Sequence, residues 1–281
     1  MILLLSKRSG VVAWIALAGL IAAGPPAHAA VSANGDGAET TSPLVLKPVL
    51  LDSLKSAGAT LGLDYKYERQ WVTNVGGDDV LADRVIEVRG EGTIAASADR
   101  NPNKLLDLAA NARYDYLGEG WRGGAGGSLK AETDQGFDNR QLLWALQFRG
   151  GWNNPLGGRG WALGYLNLGR IEPGADVIRK KTLGGVDLKS YRRWDAELIY
   201  HKDLKGQVGP LVLKSLEFAY RHFQEVSASA GVKQAGIDRH RLGTVRLNVG
   251  DEYFVAYSRG RLPFDKQSDR SIKVGWTYKF E

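Results

Sequence analysis

Apolar and polar residues alternate with period two along most of this chain from residue 58 onward. Residues 272–281 (IKVGWTYKFE) show it best: Ile272, Val274, Trp276, Tyr278 and Phe280 alternate with Lys273, Gly275, Thr277 and Lys279. Successive side chains of a β-strand point to opposite faces, so this segment presents one apolar, aromatic face and one polar face. The same reading applies to Leu61, Leu63, Tyr65 and Tyr67 against Asp64, Lys66 and Glu68. Ile86, Val88 and Ile94 oppose Glu87, Arg89, Glu91 and Thr93, and Leu108, Tyr114 and Tyr116 oppose Asp107, Asn111, Arg113 and Asp115. Trp121, Ala125 and Leu129 oppose Arg122, Ser128, Lys130 and Glu132; Leu142, Trp144, Leu146, Phe148 and Trp152 oppose Gln141, Gln147 and Arg149. Four later segments, around Trp194, Phe218, Leu247 and Val255, repeat the alternation, with Arg193, Asp195, Glu197, Glu217, Arg221 and Arg246 on their polar faces.

Two segments are less regular. Residues 161–171 are apolar on both faces, and the pattern gives Asn167 to the apolar side. Residues 177–188 are glycine-containing and weakly alternating. They count as a strand because a barrel entered and left from the same side needs an even number, and with them the total is twelve. Residues 44–55 (LVLKPVLLDSLK) lack period two. Leu50, Leu51 and Leu54 share a helical face after Pro48, which predicts a short helix at the barrel mouth, with a plug inside the barrel as the alternative.

The apolar faces are large and aromatic, while the opposite faces carry charges of both signs, Gly and Ser. A sandwich core would be Val/Ile/Leu-rich with a solvated outer face. Lipid outside and a polar lumen inside fit better, and a closed barrel satisfies every strand backbone group in hydrocarbon. The expected fold is an all-β, transmembrane, up-and-down antiparallel β-barrel of about 12 strands. If the first strand, from residue 58, runs outward, then Trp71, Tyr116, Trp121, Trp152, Trp161, Trp194 and Phe223 form an external aromatic belt. Tyr200, Tyr253, Tyr278 and Phe280 then form a periplasmic one. The external loops include 73–83, 153–160 and 224–239; 98–103 and 250–251 are periplasmic turns.

Lys7 and Arg8 precede an apolar run over 11–23 and the small-residue stretch Ala27-His28-Ala29. This is the pattern of a secretory signal peptide, and the run is shorter than the roughly 20 residues of a membrane-spanning helix. The expected organisation is a signal peptide over 1–29, a periplasmic, partly disordered segment with a short helix over 30–57, and a barrel over 58–281. The chain has no cysteine, which excludes disulfides and thiolate chemistry. Its net charge of +6 is spread along the sequence, so no basic block points to nucleic acid.

The last strand resembles the C-terminal assembly signal of Gram-negative outer-membrane β-barrels, with Lys273, Gly275, Tyr278 and Phe280 in the signal's places. Glu281 departs from it, because the aromatic usually ends the chain. The resemblance implies an outer-membrane location, with the lipid and the barrel assembly machinery as partners.

Seven arginines, Arg89, Arg113, Arg122, Arg149, Arg193, Arg221 and Arg246, fall on lumen-facing positions. Arginine forks suit carboxylate, phosphate and sulfate, and basic rings make pores anion-selective. In size, strand pattern and lumen chemistry the chain is similar to narrow twelve-stranded porins for acidic oligosaccharides. That implies a channel for small anionic or sugar-like solutes. The acids on the same faces are nearly as many, so the charges equally read as pairs filling the lumen of a non-conducting accessory or surface interaction barrel. For catalysis the candidate is His240 beside Asp238 at the external rim. It lacks the acidic constellation of the omptin proteases and the His-Ser pair of outer-membrane phospholipases. No histidine pair has metal-ligand spacing, and neither a cofactor nor a metal is expected.

Overall fold

The computed structural model describes residues 44–53, 59–76, 81–97, 101, 105–185, 188–250, 252–265 and 268–276. The expected signal peptide and periplasmic leader up to residue 43, and Tyr278, Phe280 and Glu281, lie outside these residues. Twelve strands pair with their neighbours, all antiparallel, in a closed barrel. They are β1 (Leu44–Ser53), β2 (Thr60–Asn74), β3 (Ala82–Ala95), β4 (Leu106–Gly118), β5 (Trp121–Thr133) and β6 (Arg140–Asn153). Then come β7 (Gly160–Ala175), β8 (Tyr191–Val208), β9 (Leu211–Val226), β10 (Arg239–Val249), β11 (Tyr253–Arg261) and β12 (Asp269–Trp276). Helix α1 (Val177–Thr182) lies between β7 and β8, and α2 (Ala230–Gln234) between β9 and β10. The fold is the expected transmembrane up-and-down barrel, and the count of twelve holds.

Two elements differ from the sequence reading and offset each other in that count. Leu44–Ser53 is a barrel strand, so the segment belongs to the barrel wall and is neither a mouth helix nor a plug. Val49 pairs with Gly62 on β2 and with Gly275 on β12, which closes the cylinder. Alternation was hidden here because Val49 and Leu51, each 1% exposed, are apolar yet face the lumen. They pack there with Ala95, Phe254 and Ala256. The flanking inward positions are glycines: a Cβ on Gly62 would stand 2.9 Å from Leu51, and one on Gly275 2.7 Å from the Phe254 ring. The second difference is residues 177–188. Asp176 accepts a hydrogen bond from the Arg179 backbone N–H at 2.8 Å and caps α1, so this stretch starts as a helix within a loop.

Both changes reset the direction of the strands. Leu44 and Trp276 lie at one end of the barrel, together with the connections 75–81, 119–120, 154–159, 209–210 and 250–252. The other end carries 54–59, 96–105, 134–139, 176–190, 227–238 and 262–268, including both helices. We call these the turn end and the loop end. Connections 73–83 and 153–160 thus belong with the short turns, and 98–103 with the long loops, opposite to expectation. Bacterial barrels keep short turns on the periplasmic side and longer loops outside.

The facing residues follow the pleat. Outward positions are the exposed apolar ones: Leu61, Ile86, Tyr114, Tyr116, Trp121, Trp144, Leu146, Phe148, Trp152, Leu198, Val255, Tyr257 and Val274. Three residues are reassigned. Asn167 faces the lumen, 5% exposed, and accepts from Gln147. Phe223, 4% exposed, also points inward. Trp161 takes the inner register opposite His201 and stacks on its ring at 5.2 Å. The outward aromatics Trp71, Tyr116, Trp121, Trp152, Tyr253 and Trp276 gather at the turn end, while Trp194 stands near the loop end, stacked on His222 at 4.6 Å.

Candidate functional site: a charged lumen

All seven predicted arginines lie on inward register positions. Their surroundings divide the lumen into layers. In one layer Glu87 is 1% exposed and accepts from Arg113 Nη1 at 2.8 Å, Asn111 Nδ2 at 3.0 Å and Gln70 Nε2 at 3.0 Å. Arg113 Nε donates to Asp115 Oδ1 at 2.9 Å. Arg149 Nη1 stands 3.9 Å from both Glu87 and Asp115, reaching across β5. It can do so because the inward positions of β5 at this height, Gly124 and Gly126, are glycines. A Cβ on Gly124 would overlap the Asp115 carboxylate, and one on Gly126 would strike the β4 backbone. Arg89 and Arg149 also lie over the Tyr165 ring, at 4.5 and 5.5 Å from its centroid.

Nearer the loop end, Glu132 is fully buried. It accepts from Gln141 Nε2 at 2.6 Å, from Arg193 Nη2 at 2.7 Å and from Lys130 Nζ at 3.3 Å. Arg193 also holds Asp195 through Nε at 2.5 Å and Nη2 at 2.8 Å, and Lys130 is 3.7 Å from Asp107. Arg193 and Lys130 sit over the Phe223 ring. Buried charges in such a place are tolerable only when each is met by an opposite charge and hydrogen bonds. The register supplies both.

Between these layers two pairs span the barrel. Arg221 on β9 donates from Nε to Glu197 at 2.8 Å and from Nη2 meets Glu91 on β3, the strand diametrically opposite. Arg89 on β3 stands 4.0 Å from Glu197 on β8. On the β2–β3 wall at this height, Lys66, Glu68 and Glu91 keep side-chain exposures of 62, 42 and 39%. Towards the loop end, Asp107, Lys130, Glu132, Arg193 and Asp195 all fall below a tenth. Charged groups on the β2–β3 wall are thus accessible at mid-lumen, while both the Glu87–Arg113–Asp115 layer and the loop-end half are packed with side chains.

The loop end adds an apolar cap. Leu105, Phe223, Leu262 and Phe264 form a buried cluster with Leu242 against it. Arg179 of α1 makes two bonds to Glu225, at 2.8 and 2.9 Å, and stacks on Tyr191. A small cavity among Arg179, Tyr191, His240, Phe264 and Asp265 completes the cap. His240 Nε2 is 3.1 Å from the Ile237 carbonyl, so Nε2 carries the proton there, and Nδ1 is buried without a partner. Neither a serine hydroxyl nor a carboxylate is hydrogen-bonded to this histidine among the described residues.

Arg246 lies 3.9 Å from the Phe254 centroid and donates to Asn248 at 2.9 Å. Arg122 is half-buried, towards the turn end. Two assembly-signal residues have lumenal contacts: Lys273 donates to both Asp64 oxygens at 2.8 and 2.9 Å and to Thr93 at 2.9 Å, and Gly275 lies beneath Phe254. The pattern did not single out Tyr165, Lys47, whose ammonium lies 5.8 Å from the Phe254 centroid, or the apolar cap. Tyr165 lay in the segment apolar on both faces, and Lys47 in the strand read as a helix.

No family model matches this chain, and no curated protein matches it. Among solved structures it is similar to the NanC porin, with 10% identity over 84% of this chain and 100% of that one, at a TM-score of 0.44. It is also similar to OmpT, an outer membrane protein of Vibrio cholerae, with 8% identity over 84 and 98% of the two chains and a TM-score of 0.39. The translocator domain of the autotransporter NalP from Neisseria meningitidis shares 12% identity over 98% of both chains, at a TM-score of 0.32. These likenesses add nothing to what the strand pairing gives.

Proposed function

We propose that this outer-membrane barrel is closed at rest and acts as a non-conducting accessory or surface interaction protein rather than as an open diffusion pore. The signal-peptide pattern and the assembly-signal resemblance support export and insertion. The longer loops and both helices then face outward, and the short turns face the periplasm. The observation that carries the reading is the ion pair between Arg221 and Glu91 on opposite walls. Above it stand the buried Arg193–Glu132 layer and the apolar cap. An ion crossing this stack would have to break several charge pairs in a low-dielectric interior, each costly to separate.

A narrow channel for small anionic or sugar-like solutes is the second reading. It is favoured by the exposed charges Lys66, Glu68 and Glu91 at mid-lumen and by buried guanidinium nitrogens without hydrogen-bond partners on Arg113, Arg149 and Arg193. In that case the cap must move before solute passes. A rim hydrolase has no comparable support, since His240 is tied to a backbone carbonyl.

Planar-bilayer recording on the purified, folded protein separates the readings. The closed barrel gives no steady unitary current, and the Arg221→Ser, Glu91→Ser double variant gives more current than the parent. Steady anion-selective currents from the unaltered chain would overturn the proposal in favour of the channel.

A further inference from the structure

The outer face of the barrel holds a second set of arginines, at the loop end of β7 to β12. Arg170, Arg192, Arg241, Arg259 and Arg270 are exposed and alternate with inward residues such as Arg193, Leu242, Ser258 and Ser271. Each lies within a few residues of the loop-end strand terminus except Arg170, which the stagger of β7 brings opposite Arg192. Arginine faces arginine directly at three places in the register: Arg170 with Arg192, Arg241 with Arg261, and Arg259 with Arg270. Like charges directly opposite on neighbouring strands destabilise a sheet. Two of the pairs are partly met within the chain: Arg170 donates to Glu172 and to Ser190, both at 2.6 Å, and Arg261 donates to the Gly236 and Arg239 carbonyls. Arg259 and Arg270 face each other with less to offset them, since Asp269, at the start of β12, is hydrogen-bonded to Ser53.

The position of the set is as informative as its charge. Towards mid-barrel on the same faces come Leu168, Trp194, Tyr257, Ile272 and, beyond Gly243, Val245, which belong to the lipid-facing apolar band. The arginines thus mark the boundary between hydrocarbon and headgroups. At the turn end that boundary is mainly aromatic, with Tyr116, Trp121, Trp152, Tyr253 and Trp276, and its outward arginines, Arg69 and Arg84, face no other arginine. Aromatic rings suit an interface of either charge, whereas paired guanidiniums call for an anion. Two guanidiniums on opposed residues can grip one phosphate, each with two donors.

We propose that this arginine belt binds the phosphate groups of lipids in the leaflet that meets the loop end, with one phosphate bridging Arg259 and Arg270 and others met by Arg192 and Arg241. The inference rests on the membrane barrel and not on whether its lumen conducts. It commits to lipid phosphate because the belt borders the apolar band, where a headgroup stands fixed by its acyl chains.

The test uses the purified full chain in detergent micelles, with native mass spectrometry to count retained lipid. The probes are lipid A carrying both phosphates, the same lipid with its phosphates removed, and inorganic phosphate. Wild type should retain the phosphorylated lipid and not the dephosphorylated one. Arg241→Ser with Arg259→Ser should weaken retention by about tenfold or more, since each arginine near an anionic surface contributes appreciably. Arg69→Ser, on β2 at the turn end, should leave retention unchanged. Heat-modifiable gel migration confirms that each variant is folded, and Arg270→Ser alone serves if the double variant is not. Equal retention of the two lipids, or a variant that retains lipid as wild type does, would overturn the proposal. So would inorganic phosphate that binds as tightly as the lipid.

Discussion

Arg193 on β8 and Glu132 on β5 meet at 2.7 Å although two strands separate them on the wall, and both are buried. Their contact fixes the shape of the loop-end half of the lumen. Glu132→Ala leaves the Lys130 ammonium with one acid fewer and frees one arm of Arg193. Breaking a buried pair from one side costs about 3–5 kcal/mol, so this variant should show a clearly lowered melting temperature in detergent. Glu132→Leu combined with Arg193→Met and Asp195→Asn should lose less than Glu132→Ala alone, because the Asp195 carboxylate that Arg193 holds is then removed with its partner and no charge is stranded. A triple variant less stable than the single one would show that the network is worth more than its desolvation cost.

The glycines of β5 give a paired prediction. Gly126→Ala would force a Cβ against the backbone of Ala112 and Arg113, whereas Gly127, one residue on and facing outward, has open space beside it. Overpacking of this kind costs about 1–3 kcal/mol. Gly127→Ala should be neutral or slightly stabilising, because alanine loses less chain entropy than glycine in a strand. Thermal unfolding followed by tryptophan fluorescence distinguishes them; equal melting temperatures would mean that β5 does not approach β4 as described.

At the loop end, the Arg179–Glu225 pair anchors the segment that carries α1. Glu225→Ala removes both anchoring bonds while Arg179 keeps its stacking on Tyr191. Limited trypsin digestion of the folded protein should then cut at Lys180 or Lys181 several-fold faster than in the parent. An unchanged rate would place the constraint on this loop elsewhere.

Assembly tests the C-terminal resemblance. Phe280→Ala should reduce the amount of folded protein in the outer membrane, measured by heat-modifiable migration in the membrane fraction, and removal of Glu281 should not. Normal assembly of Phe280→Ala would make the resemblance fortuitous.

The alternation of Leu61 to Tyr67, or of Ile272 to Trp276, was enough to determine the fold class, because a two-residue period sorts side chains into lipid and lumen without any knowledge of partners. The same sorting placed seven arginines and most of their acids inside. Three things required the assembled barrel. Val49 and Leu51 face a lumen that is locally apolar because Phe254 and the glycines at 62 and 275 make room for them. With β1 unseen, every strand from β2 to β7 was assigned the wrong direction. The false strand at 177–188 restored the direction of β8 to β12, so the total came out right while half the ends were exchanged. Partner choice was equally hidden. Arg221 finds Glu91 across the barrel only because closure brings β9 opposite β3. Likewise Arg241 faces Arg261, and Arg259 faces Arg270, only through the register of neighbouring strands. Period fixes the face of a residue, since it is a property of one strand; register and closure fix its neighbours, since they belong to the whole sheet.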